Sequence, residues 1–296
     1  MHNWKLIVPT YGRKEPLILQ MLDKDPNLTI SFAVRPELDD DNFYDELKAR
    51  DRVEVIRLPY GLHELGETRQ AILDYCKNND IDYCCMFDDG MINLVDMTND
   101  KLTISDVIEK AINKIESGKY ADITAGFSMF KRYGYRNDGT SVLAPDGHIK
   151  DRDYFVAFPM QAVILNMKVV NKYNLTYKSL DEVGFEDCAF FWDVIKQGLV
   201  FAGDKYIRID GLIPNMKKNG GSHTEAQNLE QKYDIQNKRC LNYVGNVYGV
   251  AYEKRYRSYA NGLLSAIIWN LDYYYEVLCE KRELNQQIID SQFKID

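Results

Sequence analysis

One segment of the chain is apolar at five consecutive positions and is followed at once by two carboxylates. Residues 83–87 are Tyr-Cys-Cys-Met-Phe, and Asp88, Asp89 and Gly90 come directly after them. An uninterrupted apolar run of this length, ended by turn residues, is typical of a strand buried on both faces of a parallel sheet. The sequence therefore predicts an α/β fold in which this strand delivers Asp88 and Asp89 to one edge of the sheet.

Further strands alternate with helices over the first ninety residues. Strands are predicted at residues 6–8, 29–34 and 53–58, and helices are predicted to begin near Pro16 and Gly66. Such alternation indicates a mainly parallel sheet flanked by helices, whose ligands bind beyond the carboxyl ends of the strands. Five residues of candidate importance fall at those ends: Pro9, Thr10, Arg35, Asp88 and Asp89.

The rest of the chain predicts the completion of this domain and a helical extension. Three strands and a helix capped by Gly198 are expected, at residues 123–128, 158–166, 199–209 and 186–197. A polar insertion covers residues 131–153. From Thr224 onward the sequence is tyrosine-rich with helical character. We therefore expect a main domain over residues 1–223 and a helical extension over residues 224–296.

Composition narrows the class of protein. The net charge of −8 disfavours unselective binding to nucleic acid, because phosphate contacts dominate such affinity, but it leaves DNA open as a substrate. The sequence contains neither an apolar run long enough to span a membrane nor a signal-peptide pattern, which predicts a cytoplasmic protein. Its six cysteines form no CxxC pair, so we expect reduced core thiols and no structural zinc.

The adjacent carboxylates Asp88 and Asp89 are the strongest chemical feature. They repel one another, so a fold commonly supplies a cation or hydrogen-bond donors beside them. Mg²⁺ and Mn²⁺ prefer oxygen ligands and share coordination with substrate phosphates. The alternative is a simple Asp-Asp-Gly turn, which these residue types also favour.

A second acidic pair, Glu186 and Asp187, begins an aromatic helix. Carboxylates in a first helical turn are stabilised by the helix dipole, which is one explanation. The other is a general base that takes the proton of an acceptor hydroxyl. The sequence leaves both open, and it leaves open which of the two acids acts.

Basic and glycine-rich positions supply candidate phosphate ligands. A late loop contains Lys217, Gly220, Gly221 and His223. Its backbone N–H groups could close over a diphosphate, and His223 could be a metal ligand. The alternative is a flexible surface loop. Three arginines follow strand ends or begin a helix: Arg13, Arg35 and Arg69. Arginine suits bidentate phosphate recognition, and surface ion pairing is its alternative role.

Four short motifs, in order, resemble the signatures of GT-A glycosyltransferases across roughly residues 4–225. They are Val8–Arg13, Gly66–Gln70, Phe87–Gly90 and Gly184–Asp187. The resemblance implies a GT-A-like fold and a nucleotide-sugar donor such as a UDP-sugar. It implies that Pro9, Thr10 and Arg13 line the nucleotide pocket, with Arg69 near the base or diphosphate and Asp88 at the ribose or base.

The same resemblance implies a divalent metal and a base. Asp89 would bind Mn²⁺ or Mg²⁺, and Asp187 would be the acceptor-side base if the enzyme inverts the anomeric centre. The sequence departs from the family pattern at Gly90, where an Asp-x-Asp motif has its second acid. Metal binding would then use Asp89 with His223, or be weak or dispensable.

Within that family the chain is similar to the TET-associated glycosyltransferases of phages, which sugar-modify hydroxylated pyrimidines in DNA. The Thr68-Arg69-Gln70 run, the Gly220-Gly221 loop and the lack of an anchor carry this similarity, which implies the cytoplasm of a phage host. A surface polysaccharide or lipid-linked glycan is the alternative acceptor. The basic, tyrosine-rich stretch at residues 243–259 either stacks nucleic-acid bases or packs on the core.

Two other functions compete with this one. A nucleotidyltransferase would share the sheet and the metal-carboxylate site, but it usually has a glycine-rich, lysine-containing loop after the first strand, and residues 9–13 lack that glycine density. A non-catalytic nucleotide-sugar-binding module would retain the fold, and the incomplete acid motif at Gly90 favours it.

Overall fold

The computed structural model describes residues 2–10, 15–38, 43–117, 121–129, 155–156, 161–204, 206–211, 235–236, 238–240 and 242–243. Within these ranges the strands are β1 (Trp4–Pro9), β2 (Ile30–Val34), β3 (Val53–Arg57), β4 (Tyr83–Phe87), β5 (Leu94–Asp96), β6 (Thr124–Met129), β7 (Phe155–Val156), β8 (Ala162–Asn166), β9 (Val200–Gly203) and β10 (Ile207–Ile209). The helices are α1 (Gln20–Lys24), α2 (Phe43–Lys48), α3 (Leu65–Asn78), α4 (Ile104–Ser117), α5 (Met167–Lys172), α6 (Leu180–Val183) and α7 (Glu186–Lys196), with 3₁₀ turns at Leu17–Leu19 and Pro36–Leu38.

Several predicted features lie outside the described residues. They are Arg13, the loop residues Lys217, Gly220, Gly221 and His223, the insertion at 131–153 and most of the extension at 224–296. The predicted boundary at residue 223 also lies outside them.

Eight strands form one mixed sheet with β4 near its centre. The strand order is β3-β2-β1-β4-β8-β6-β9-β7. β1 to β4 run parallel, β8 is antiparallel to both β4 and β6, and β6 and β9 are parallel again. All five residues of β4 are buried, as its apolar sequence predicted. This mainly parallel sheet flanked by helices confirms the expected GT-A-like α/β fold.

Alternate residues of the central strands pack into two separate apolar clusters, one on each face of the sheet. Leu6 and Val8 of β1 share a cluster with residues of α1 and α4, whereas Ile7 shares the other with residues of α3, α5 and α7. Because helices cover both faces, the central strand β4 is apolar and buried at all five positions, whereas the edge strand β3 carries the exposed residues Glu54 and Arg57. Within the described chain, no helix combines the length and apolarity needed to cross a membrane.

The described cysteines match the expectation of core thiols. Cys76, Cys84, Cys85 and Cys240 are buried, and none forms a disulfide within the described part of the chain. Burial raises the pKa of the Cys85 thiol well above its usual value, which keeps it protonated and unreactive.

The predicted strand at residues 199–209 is wrong as a single element. The chain leaves the main sheet after Gly203, and β10 pairs with β5 in a separate two-stranded sheet. The buried carboxylate of Asp204 accepts hydrogen bonds from the backbone N–H groups of Tyr206 and Ile207. This local turn satisfies the backbone at the break and redirects the chain, an effect that apolar periodicity does not report.

A polar network ties the amino-terminal ends of β1 and β4 to α4. His2 Nδ1 lies 2.6 Å from Glu109 Oε2, and its Nε2 lies 2.9 Å from Glu116 Oε2. Trp4 Nε1 donates to Glu109 at 2.8 Å, and the Tyr83 hydroxyl donates to Glu116 at 2.6 Å. The hydrogen bond with Glu109 is the main cause that raises the pKa of His2 above its ordinary value.

We predict that His2→Gln destabilises the protein more at about pH 6 than at about pH 9. A His whose folded-state pKa is raised contributes stability that is fully present below its unfolded pKa of about 6.5 and is lost as the pH rises through the folded pKa. Thermal unfolding across this range measures the difference between variant and wild type, with His63→Gln as the matched control. A pH-independent difference would contradict the assignment.

Candidate active site

The carboxyl ends of β1 and β4 bring the first predicted site residues together. Thr10 Oγ1 donates a hydrogen bond to Asp89 Oδ2 at 3.2 Å, and Thr10 is itself buried. The backbone N–H of Asp88 donates to the carbonyl of Gln161 at 2.8 Å, from the residue that precedes β8. Gln161 has a φ of 62°, an uncommon backbone conformation for a residue with a side chain. The Asp88-Asp89 turn is therefore held by the strands on both of its sides.

Arg69 of α3 joins this edge to the second acidic pair. Its Nη2 lies 3.8 Å from Asp88 Oδ1 and its Nη1 lies 3.4 Å from Glu186 Oε1. The Arg69 and Glu186 side chains are only 8% and 7% exposed, whereas the Asp88 side chain is 39% exposed. One buried guanidinium thus connects the end of β4 with the first turn of α7.

The charge of Arg69 is held in place by the carboxylates around it. Burial alone would lower the pKa of Arg69. The negative charges of Glu186, Asp88 and Asp187 outweigh this effect, so the pKa of Arg69 is raised. A buried cation persists when opposite charges replace its lost hydration. The acidic residues at this site therefore face a permanent positive charge.

The approach of α3 to α7 requires a glycine at position 66. A Cβ built there would lie 2.0 Å from the carbonyl oxygen of Lys178 and 3.3 Å from Glu186 Cβ. The first distance is far inside van der Waals contact, so no other residue fits without movement of the backbone. Gly66 lies three residues before Arg69, and its lack of a side chain lets the start of α3 pack directly on the backbone of Lys178.

Tyr177 completes the buried side of the site and was missed by the sequence analysis. Its ring stacks on Phe190 with centroids 4.2 Å apart, and the Arg69 guanidinium lies 5.6 Å from its centroid. Its backbone N–H donates to Gln70 Oε1 at 2.9 Å. Burial raises the pKa of Tyr177. The Tyr177 hydroxyl and Arg69 Nε are buried and have no hydrogen-bond partner among the residues that the structure describes. No sequence motif marks Tyr177.

The two acids that begin α7 have different surroundings. Glu186 is 5% exposed and is paired with Arg69, whereas Asp187, the next residue, is partly exposed. A group that must reach an acceptor hydroxyl needs solvent access, so the geometry favours Asp187 over Glu186 for that role.

Arg35 lies at the carboxyl end of β2 and contacts the loop that follows β3. It is buried, and its Nη1 donates to the backbone carbonyl of Leu62 at 2.9 Å. This bond anchors the loop between β3 and α3. Pro9 is the last residue of β1, beside Thr10, as the sequence predicted.

Asp88 and Asp89 are the described residues that could hold a divalent cation. Within the described ranges, no group of three or more His, Cys, Asp or Glu side chains has the arrangement of a metal site. Mg²⁺ is often bound by only one or two carboxylates together with substrate phosphates, so this pair of oxygen donors fits such an ion. Since Asp88 is shared with Arg69, Asp89 is the better ligand.

No family model and no curated protein matches this chain. Among solved structures it is similar to TarS of S. aureus, at 11% identity over 83% of this chain and 72% of that chain, with a TM-score of 0.40. It is also similar to A197 from STIV, at 13% identity over 72% of this chain and 86% of that chain, with a TM-score of 0.38.

A third similar structure is a 4-diphosphocytidyl-2C-methyl-D-erythritol synthase. It is 13% identical over 80% of this chain and 100% of that chain, with a TM-score of 0.39. Likenesses at these scores do not assign a chemistry, and the activity of this chain has to be inferred from its own residues.

We predict that Arg69→Met alone is more destabilising than Arg69→Met combined with Glu186→Met. The single change leaves the Glu186 carboxylate buried without its cation and should cost about 3–5 kcal/mol, whereas replacing both partners removes the uncompensated charge. Urea denaturation of the two single variants, the double variant and wild type measures this. If the two single costs simply add, Arg69 and Glu186 do not interact as described.

Proposed function

We propose that this chain is a nucleotide-sugar-dependent glycosyltransferase. The observation that supports it is the ion pairing of Arg69 with both Asp88 and Glu186, which brings the turn after β4 and the first turn of α7 together at one edge of the sheet. In this proposal the turn after β4 serves the donor and α7 serves the acceptor. Sugar transfer needs both at once, because the acceptor hydroxyl must approach the carbon from which the diphosphate departs.

The donor would lie beyond the ends of β1 and β4. Thr10 fixes the Asp89 carboxylate through its hydroxyl, and Arg69 fixes Asp88. We assign Asp88 to the ribose or base and Asp89 to the metal, with a UDP-sugar as the donor. A divalent cation held by Asp89 would neutralise charge on the departing diphosphate. Arg13, Lys217, Gly220, Gly221 and His223 remain candidates for the phosphate side.

Asp187 would act as general base in an inverting transfer. Its carboxylate takes the proton of the acceptor hydroxyl while that oxygen forms a bond to the anomeric carbon and the bond from that carbon to the diphosphate breaks. Glu186, paired with Arg69, would hold the first turn of α7 in place. In this assignment Glu186 is a positioning residue rather than the base.

The acceptor we propose is 5-hydroxymethylpyrimidine in DNA, with a surface polysaccharide or lipid-linked glycan as the alternative. A hydroxymethylated base offers a primary hydroxyl, and an enzyme acting on it within a duplex would have to extrude it from the stack. The net charge of −8 would confine DNA contact to local basic surface and make it sensitive to salt.

We predict that one UDP-sugar raises the melting temperature, that Mn²⁺ enlarges the rise, and that Asp89→Ala abolishes the metal-dependent part. A ligand present at about 100 times its Kd stabilises the native state by ~2.7 kcal/mol. Asp82→Ala, at the opposite end of β4, is the matched control and should respond like wild type. If no nucleotide sugar raises the melting temperature, the substrate is of another class. A rise in melting temperature with CTP would favour a nucleotidyltransferase.

We predict that the wild type transfers sugar to DNA containing 5-hydroxymethylpyrimidine and that Asp187→Asn slows transfer at least about 100-fold, the range for loss of a general base. The donor-induced thermal shift should survive in this variant, because Asp187 does not bind the nucleotide. Mass spectrometry of the DNA measures transfer, with Glu182→Gln as control. Donor hydrolysis without DNA modification would point to the glycan acceptor, and binding without hydrolysis would point to a non-catalytic module.

A further inference from the structure

A short helical stretch of the last third of the chain packs against the helix that carries Glu186 and Asp187. Residues 235–236, 238–240 and 242–243 are all helical, and they are called the clamp segment below. Cys240 is completely buried and belongs to the same apolar cluster as Phe190 and Phe191 of α7. The clamp segment is therefore built into the core on this side of the sheet.

The clamp segment meets the chain at the junction of α6 and α7. Gly184, between these helices, has a φ of 77°, which favours glycine. A Cβ built on it would lie 2.0 Å from the carbonyl oxygen of Gln236 and 3.0 Å from the backbone nitrogen of Cys240. The backbone of the clamp segment thus rests directly on the residue that sets the angle between α6 and α7, two positions before Glu186.

A hydrogen-bonded network fixes the other end of this contact. The Tyr243 hydroxyl donates to Asp193 Oδ1 at 2.6 Å, and Lys178 Nζ lies 2.8 Å from Asp193 Oδ2. The same Lys178 Nζ lies 5.7 Å from the centroid of the Tyr243 ring. Burial, together with the hydrogen bond to Asp193, raises the pKa of Tyr243, so the hydroxyl remains a donor.

Lys178 connects the clamp segment to α3, the helix that carries Arg69. Its backbone carbonyl is the group against which Gly66 packs, at the start of the helix that carries Arg69. One residue therefore touches the clamp segment through its side chain and the Arg69 helix through its backbone. At the protein surface, Arg239 Nη1 of the clamp segment donates a hydrogen bond to Asp181 Oδ1 of α6 at 2.7 Å.

We infer that the clamp segment is a positioning element for the reaction: Gln236, Cys240 and Tyr243 hold the α6–α7 junction so that Asp187 is presented to the acceptor and Glu186 to Arg69. The inference rests on the proposed function, in which Asp187 is the general base. It predicts that weakening the clamp segment impairs the chemical step without impairing donor binding, since no residue of the clamp segment lies at the ends of β1 or β4.

The test uses the full chain with Tyr243→Phe, which removes only the hydroxyl that reaches Asp193. We expect kcat to fall about tenfold with the donor Kd unchanged, because small displacements of a catalytic group are costly in rate. Hydrogen exchange of the amides in the first turn of α7 should become faster. Lys178→Met should have the same effects. Tyr75→Phe on α3 is the matched control and should have neither.

The outcomes separate this inference from the proposed function. An unchanged kcat in an active Tyr243→Phe protein, or a fall matched by the Tyr75→Phe control, would overturn the inference while leaving the transferase intact. If the wild type uses no nucleotide sugar, the proposed function fails, and hydrogen exchange still decides whether the clamp segment orders α7. If the amides of α7 exchange hydrogen at the same rate in Tyr243→Phe and in wild type, the inference about the clamp segment is overturned even when no nucleotide sugar is used.

Discussion

The buried charge of Arg69 is the constraint around which the site is organised. A guanidinium that is 8% exposed has lost most of its hydration, and it is stable only because carboxylates from two distant elements face it. Asp88 comes from the end of β4 and Glu186 from the start of α7, so the sheet edge and the helix cannot move apart without exposing an unpaired charge in the interior. This fixed geometry is obtained at an electrostatic cost that an apolar core would not have.

Much of the fold follows from local sequence, and the reasons are visible in particular elements. The five apolar residues of β4 are all buried, and the predicted helices at Gly66 and Glu186 are present as α3 and α7. Helix α4 was not predicted, although its buried residues Ile104, Val107, Ile108, Ala111, Ile112 and Ile115 follow helical spacing.

Individual residues of the site could be predicted from the sequence, but the ion pairs between them could not. The short motifs identified Asp88, Arg69 and Glu186, yet nothing in them indicates that residues 117 positions apart, Arg69 and Glu186, form an ion pair. The sequence interpretation left Arg69 between phosphate recognition and a surface ion pair, and the structure shows ion pairs with two carboxylates around a buried side chain. Tyr177 and the clamp segment carry no motif at all, because their roles arise from stacking and close backbone contact, which only the folded chain creates.

The arrangement also gives the two acids of α7 different surroundings, and the different roles proposed for them rest on this. Neighbouring carboxylates in one helical turn repel each other, and pairing one of them with a buried cation removes part of that repulsion. Glu186 is buried and paired with Arg69, whereas Asp187 is partly exposed, and both carboxylates lie near the positive charge of Arg69. In the proposed function, a general base at Asp187 needs a rigid helix. The stack of Tyr177 on Phe190 and the contact of the clamp segment at Gly184 both hold α7 in place, so stability and the proposed catalytic geometry depend on the same few contacts.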